Sequence, residues 1–384
     1  MSPSDDDSYF LWPRISEHAI ADVVAMLRAG VTSYDLGRLD AFESDVARLF
    51  GVCHALCCNN GTAASFSAFR ALGIGPGDTV IAPAIAHWAS VLPAVQCGSR
   101  LSFADVMPDT CHVDPRSVRR LIGSTTKAVV VTHMFGEPLE LDHLRTICDE
   151  HGLALIEDVS HAHGATFEGR PVGRFGDVSF CSFQGSKLVS AGEGGALLTS
   201  RDDLYYRAME LGHPRRLAHA PPEWQSLAGV GRGFKFLPSA LLVALAHDSL
   251  LNLEQQNIER RRACEKLRTI LAASPELVGV NRPPAGRVYF RCEMFLARAN
   301  PDVRDRLVRM LVRRGIRAHR FVGYLPDHPS FKEHVNPGAW PVAQDIMRRV
   351  FFIEAFTAYS APLVERYGRV ILQTLDDVKR GLDD

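Results

Sequence analysis

From about Cys53 to Ser200, short runs of aliphatic and β-branched residues alternate with segments whose apolar positions recur three and four residues apart. The short runs predict strands at Cys53–Cys58, Thr79–Ala82, Arg100–Ala104, Lys127–His133, Leu153–Glu157, Val178–Phe183 and Gly195–Thr199. Between them Gly61–Leu72, Pro115–Ile122 and Leu141–His151 read as amphipathic helices. Strand and helix in alternation predict an α/β fold, with a mostly parallel mixed sheet sandwiched by helices. Ligands of such sheets gather beyond the carboxyl ends of the strands, so the polar residues that follow each strand carry the functional information.

From Pro238 one long helical pattern runs toward Leu271. Beyond it the chain predicts a strand at Arg287–Leu296, a helix at Pro301–Arg314 and a strand at Ile316–Phe321. A helix-strand pair at Pro341–Ile353 and a closing helix at Leu363–Leu382 follow. This is the pattern of a smaller α+β C-terminal domain. The division falls near residue 250, giving a large ligand-binding domain with an N-terminal arm over 1–250 and a small domain over 251–384.

Composition narrows the function classes. Hydrophobic residues at 46% and charged residues at 23% are ordinary for a globular chain long enough to bury a large core. The formal net charge of -1 leaves no basic excess to neutralise nucleic-acid phosphates. Arg260-Arg261-Arg262 lies in a helical stretch and reads as a solvated helix face. Nine cysteines without a C-x-x-C pair point to a reduced, cytoplasmic chain, and adjacent Cys57 and Cys58 should face opposite sides of a strand. Met1–Asp7 is acidic, unlike a secretory leader, and no apolar run approaches the ~20 residues of a membrane helix.

Four strand ends hold the candidate chemistry. Lys187, in Ser182-Phe183-Gln184-Gly185-Ser186-Lys187, follows a buried-looking strand among small residues, where desolvation makes an amine nucleophilic toward an aldehyde. Taken alone it could be an ordinary surface lysine. Asp158 ends the strand before Val159-Ser160-His161 and is placed to keep a pyridinium nitrogen protonated, as pyridoxal phosphate requires; a helix N-cap is the alternative. Asn60-Gly61-Thr62-Ala63 opens a helix whose free N–H groups make a phosphate cradle, although capping explains the same residues. His87 and Trp88 follow the next strand, where a ring could stack on a flat cofactor or be core. Asp158, His161 and His163 also suggest a metal site, but no third soft ligand accompanies the two histidines at zinc-like spacing. There is neither a G-x-G-x-x-G nor a Walker loop, which disfavours dinucleotides and ATP. Cradle, stacking loop, carboxylate and lysine at the ends of four strands are the parts of one cofactor site.

With those residues in place the chain resembles the DegT-type sugar and cyclitol aminotransferases, pyridoxal-phosphate enzymes of fold type I in the aspartate-aminotransferase superfamily. The resemblance runs from about Trp12 to the C-terminus and rests on NNGTAASFSAFRALGIGPGDTVIAP, IEDVSHAHGA, SFQGSK and GEGGALLTS. It implies that Lys187 forms the Schiff base and shuttles the proton, and that Asp158 pairs with the pyridine nitrogen. His161 stands where many relatives have Gln, against the phenolic oxygen. Gly61, Thr62, Ala63 and Ser182 are implied to hold the phosphate, and His87 or Trp88 to stack on the ring. Lys235 matches a position (Asn or Lys in relatives) that reaches the neighbouring subunit's phosphate, which implies a homodimer with shared active sites.

Two stretches depart from the pattern. Leu237-Pro238-Ser239 stands where relatives carry Arg and then His-Pro, and Phe352-Ile353-Glu354-Ala355 replaces a Leu-Pro. The implied reaction moves an amino group from L-glutamate or L-glutamine to a ketone of a sugar nucleotide or cyclitol, in amino-sugar, aminocyclitol or antibiotic biosynthesis. The rival expectations are elimination, decarboxylation or condensation on the same scaffold, and a non-catalytic regulatory member.

Overall fold

The computed structural model describes residues 8–33, 35–108, 110–227, 234–279, 285–335 and 337–382. Seven strands form the large sheet: β1 (His54–Cys58), β2 (Thr79–Pro83), β3 (Arg100–Ala104), β4 (Thr126–Thr132), β5 (Ala154–Asp158), β8 (Val178–Ser182) and β9 (Gly195–Thr199). The short hairpin β6 (Thr166–Phe167) and β7 (Arg170–Pro171) lies between β5 and β8 in sequence. The spatial order is β1-β9-β8-β5-β4-β2-β3, with β9 antiparallel to both neighbours and every other pair parallel. The fold class is the one the alternation predicts.

Both faces of the sheet are covered, and the period of two assigns each residue to a side. Ile81, Val129, Val131 and Leu155 pack into one helical layer. Val80, Ala82, Val130 and Ile156 pack into the other. Cys57 and Cys58 likewise part to opposite faces. The helix Gly61–Ala71 presents Ala63, Ala64, Ser67, Ala68 and Ala71 inward, and these small side chains let its backbone lie close on β8 and β9.

The second sheet is antiparallel throughout, in the order β10 (Leu277–Val278), β11 (Arg291–Leu296), β13 (Val350–Glu354), β12 (Ala318–Arg320). Its core takes in the helices Leu253–Leu271, Pro301–Arg313 and Ala361–Lys379, and also Phe10 of the N-terminal arm, whose ring lies 5.0 Å from Phe356 and 5.5 Å from Tyr367. The two cores meet where Leu325, Phe331, Ala343 and Ile346 pack into the large one.

Some expectations are corrected. The long helix after Pro238 is two helices, Ala240–Leu251 and Leu253–Leu271. Asn252 separates them, its side chain and its backbone N–H both donating to the Asp248 carbonyl, at 2.8 and 3.2 Å. Residues 287–290 are not strand: Val288 and Phe290 donate their N–H groups to Gly136 and Phe135 of the large domain at 3.1 Å each. The solvated face expected of Arg260-Arg261-Arg262 holds for Arg262, which is exposed, but not for Arg260. Arg260 is buried with its guanidinium 4.2 Å from the Trp12 ring centroid, Arg261 bonds the Arg287 carbonyl, and Arg262 lies over Tyr359. The N-terminal arm and the chain near Tyr359 lie over that face, which local periodicity does not foresee. Among the described residues no helix is long and apolar enough to cross a membrane.

Candidate active site

The strand order determines which residues can meet. β1, β2, β4, β5 and β8 all run the same way, so their carboxyl ends share one edge. Cys58 and Ser182 both register with Gly195, which sets the start of the helix Gly61–Ala71 beside the end of β8. β5 runs one residue further than predicted and carries Asp158 at its tip.

Lys187 sits in a loop whose shape is dictated by backbone bonds. Phe183 N–H donates to Gly194 at 2.8 Å, Ala191 N–H to Phe183 at 2.7 Å and Gly185 N–H to Gly192 at 2.8 Å. Gly192 (φ +83°) and Gly194 (φ +151°) hold conformations that side-chain-bearing residues disfavour, which accounts for the Gly-rich segment after the lysine. Trp12 Nε1–H donates to the Lys187 carbonyl at 2.9 Å and pins the residue from outside. The Lys187 ammonium lies 4.7 Å from the centroid of the Phe290 ring. Burial brings its pKa down to about 8, against the upward pull of Asp158 and with a further push down from Arg291.

Asp158 is buried, and each of its oxygens accepts one hydrogen bond. Its Oδ2 accepts the Ser90 hydroxyl at 2.5 Å and its Oδ1 accepts the Ser160 N–H at 2.9 Å. His87 caps the short helical turn Trp88–Ser90, its Nδ1 accepting the Ala89 N–H at 3.2 Å. Burial lowers the His87 pKa, and the charges of Lys187 and Asp158 both act on its ring, so it belongs to the same pocket. Trp88 lies 5.2 Å from His87, ring to ring, and is 40% exposed. His161 stacks on Phe290 at 4.0 Å and 13°. Burial, then the Lys187 charge, holds its pKa well below the usual imidazole value, and its buried Nδ1 has no hydrogen-bond partner among the described residues.

His163 does not join His161. It packs among Phe50 and Phe183, with Nδ1 accepting the Val189 N–H at 2.9 Å, and burial depresses its pKa to about 3.

At the cradle a Cβ on Gly61 would fall 2.7 Å from Ser182 Cβ, and one on Gly195 would fall 2.6 Å from Gly61 Cα. Only backbone fits there. The Ala63 N–H expected to face a phosphate is taken by the Asn60 side chain at 2.7 Å, because Asn60 is the N-cap. Gly61 and Thr62 stand in the first turn, where N–H groups lack an intrahelical acceptor, and the Ser182 side chain lies beside Gly61. Lys235 stands apart from this pocket. It is exposed and lines a cavity of about 420 Å³ with Arg215, Arg216 and His219.

Ser90, Trp12, Phe290 and Arg291 are the members that sequence reasoning missed. Ser90 closes the loop already singled out, so its proximity to the stacking pair was the available signal. The other three come from distant segments.

These residues fit pyridoxal phosphate. Lys187 is a buried amine with a lowered pKa, Asp158 a held carboxylate, His161 an orphaned ring nitrogen, and Gly61 a site of close backbone approach.

Comparison with known proteins agrees. The GDP-perosamine synthase of Vibrio cholerae is 32% identical over 313 residues, covering 81% of this chain and 83% of that protein. The L-glutamine:2-deoxy-scyllo-inosose aminotransferase of Streptoalloteichus tenebrarius is 36% identical over 277 residues, covering 68% of this chain and 64% of the relative. The crystal structure of 3-amino-5-hydroxybenzoic acid synthase superposes with a TM-score of 0.86 at 24% identity, covering 95% of this chain and 98% of that one, and so shares its fold. Residues 13–366 match the DegT/DnrJ/EryC1/StrS aminotransferases, and the chain belongs to that family.

Proposed function

We propose that this enzyme binds pyridoxal 5'-phosphate and transfers the amino group of L-glutamate or L-glutamine to a ketone of a sugar nucleotide or cyclitol. The observation that carries the reading is a buried lysine, its pKa lowered by burial, close enough to the held Asp158 carboxylate to feel its charge. The substrate class follows from relatives named for GDP-perosamine and for L-glutamine and scyllo-inosose chemistry. The family's aminotransferases depend on pyridoxal phosphate.

When bound, the cofactor supplies an aldehyde for amines and an electron sink for the carbon next to the amine. Lys187 is the residue that holds it covalently. Its Nζ, when free, would take and return the proton at the donor Cα; a pKa near 8 suits an amine that must both accept and return a proton near neutrality. Asp158, fixed by Ser90 and Ser160, keeps a proton on the ring nitrogen. His161, held neutral, would contact the cofactor's phenolic oxygen. Gly61, Thr62 and Ser182 receive the phosphate at a helix start, where N–H groups and the helix dipole favour an anion. His87 or Trp88 would cover the outer face of the ring.

The proposal extends to a homodimer in which Lys235 completes the partner's phosphate site, to a division near residue 250, and to a cytoplasmic location. Incubating the cofactor-loaded protein with L-glutamate tests the chemistry. Release of 2-oxoglutarate in proportion to enzyme, with loss of the lysine-linked cofactor absorbance, is expected. An unchanged spectrum with both glutamate and glutamine overturns it.

A further inference from the structure

The backbone of Lys187 is held on both sides. Its N–H donates to the Gln184 carbonyl at 2.8 Å, closing a local turn. Its carbonyl accepts the Trp12 indole N–H at 2.9 Å, from a residue 175 positions away in the chain.

Trp12 is itself fixed. On one side Phe10 packs into the core of the second sheet, and the Tyr9 carbonyl accepts both the N–H and the hydroxyl of Thr357, at 2.8 and 2.9 Å. On the other side Ser16 donates its N–H and its hydroxyl to the Asp248 carboxylate, at 3.2 and 2.6 Å. The arm is tied at both ends and cannot slide past the lysine. The indole face meets Arg260 of the helix Leu253–Leu271, whose guanidinium carbon lies 4.2 Å from the ring centroid. Arg260 is buried without a salt bridge to any described residue, and its Nε has no hydrogen-bond partner among them. Burial brings its pKa down to about 10, so it keeps its charge at neutral pH. A desolvated cation with no carboxylate is drawn to the electron-rich face of an indole. It polarises the ring in turn, and the N–H at the ring's edge becomes a stronger donor.

We infer that Trp12 is a positioning residue for Lys187 and that Arg260 acts through it. The inference rests on the cofactor role proposed for Lys187 above and concerns how the amine is aimed. A lysine stem is flexible, so the orientation of its peptide decides where the amine can reach. A misplacement of ~1 Å between reacting groups can cost about 100-fold, which makes a bond that fixes this peptide consequential. A tryptophan present only to cover Arg260 would need no bond to this carbonyl, because its half-buried N–H has access to water. The bond to the one residue whose amine must be aimed is what assigns the role.

Pyridoxamine 5'-phosphate tests this, because it carries an amine in place of the aldehyde and cannot bond covalently to Lys187. Cofactor-free wild type, Trp12→Phe, Arg260→Met, Arg260→Lys and the double variant Trp12→Phe/Arg260→Met are titrated by fluorescence with it and with pyridoxal 5'-phosphate. Trp12→Phe keeps a ring over Arg260 and removes only the donor. Unfolding curves verify that each variant is folded, and Arg260→Gln replaces Arg260→Met if the latter is not. Trp12→Phe should lower the affinity ratio of pyridoxal to pyridoxamine phosphate by about 3- to 10-fold, the net worth of one hydrogen bond, with pyridoxamine phosphate affinity within twofold of wild type. Arg260→Met should lower the ratio in the same direction, Arg260→Lys should restore part of it, and the double variant should fall no further than Trp12→Phe. An unchanged ratio in Trp12→Phe, or equal losses for the two ligands, reduces Trp12 to packing and overturns the assignment. A loss from Arg260→Met that is undiminished in the double variant overturns the relay. A wild type that takes up neither ligand, or forms no lysine-linked absorbance with pyridoxal phosphate, removes the cofactor reading itself before any variant is compared.

Discussion

The Ser90 hydroxyl donates a 2.5 Å hydrogen bond to Asp158 Oδ2, although 68 residues separate them in the chain. The turn that His87 caps delivers Ser90 to the tip of β5, and the Ser160 N–H holds the other oxygen. A hydrogen bond to a charged group contributes roughly 1.5–3 kcal/mol. Ser90→Ala should therefore weaken pyridoxal phosphate binding by about 10-fold or more, read by fluorescence titration of the cofactor-free protein, with little change in its unfolding temperature. Affinity within twofold of wild type would mean that Asp158 does not need this partner.

Lys187 carries a pH signature. Its folded-state pKa of about 8 lies below the ordinary lysine value of 10.5. Between those values the unfolded chain binds more protons, so the stability of the cofactor-free protein should rise as pH goes from about 8 to 10.5. Below pH 8 the cost is fully present. Lys187→Met should consequently stabilise the cofactor-free protein by about 1–3 kcal/mol at pH 7 while abolishing turnover. Denaturant curves at pH 7 and 10 check this, and the gain should shrink at pH 10.

Gly195→Ala addresses the cradle without touching a proposed ligand. The added methyl would meet Asn60 carbonyl atoms at 2.7 Å and Gly61 Cα at 2.6 Å, all backbone, so the helix start must shift. Such overpacking costs about 1–3 kcal/mol. The affinity ratio of pyridoxal phosphate to pyridoxal should fall, because only the former presents a phosphate to the moved N–H groups. An unchanged ratio would place the phosphate elsewhere.

Shared active sites can be read from hybrids. Lys187→Ala and Lys235→Ala should each be inactive, or nearly so, as homodimers. Mixed subunits should regain about a quarter to a half of wild-type activity per dimer, because one of the two sites then has both lysines. Hybrids that form and remain inactive would show that each chain builds its own site.

The buried Glu157 illustrates what lies beneath the site. It accepts the N–H groups of Gly173 (2.9 Å), Phe175 (2.8 Å) and Gly176 (2.6 Å) and pairs with His133 at 3.0 Å, holding the loop before β8 against the strand that carries Asp158. Removing a buried carboxylate that holds these groups should cost about 3 kcal/mol or more. Glu157→Ala is accordingly expected to lower the unfolding temperature by several degrees.

The order of strands and the residues at their tips were legible in the sequence because local periodicity and turn chemistry govern them. Asp158, Lys187 and Gly61 each follow a recognisable apolar run, and a mostly parallel sheet sends such positions to one edge. The family motifs lie in the same stretches. What one strand's sequence does not contain is its neighbour. Placing β9 between β1 and β8 puts Gly195 against Gly61, and that pairing depends on hydrogen bonds across more than 130 residues of chain. The same holds for Trp12 on the Lys187 carbonyl and for the Phe290 ring, which both the Lys187 ammonium and the Arg291 guanidinium approach. Their roles arise from packing of the N-terminal arm and the small sheet onto the large one. Packing likewise covered Arg260, which its own helix would leave in water. Local sequence determined the reactive groups; tertiary contact decided which atoms surround them, since burial and charge act through space and not along the chain.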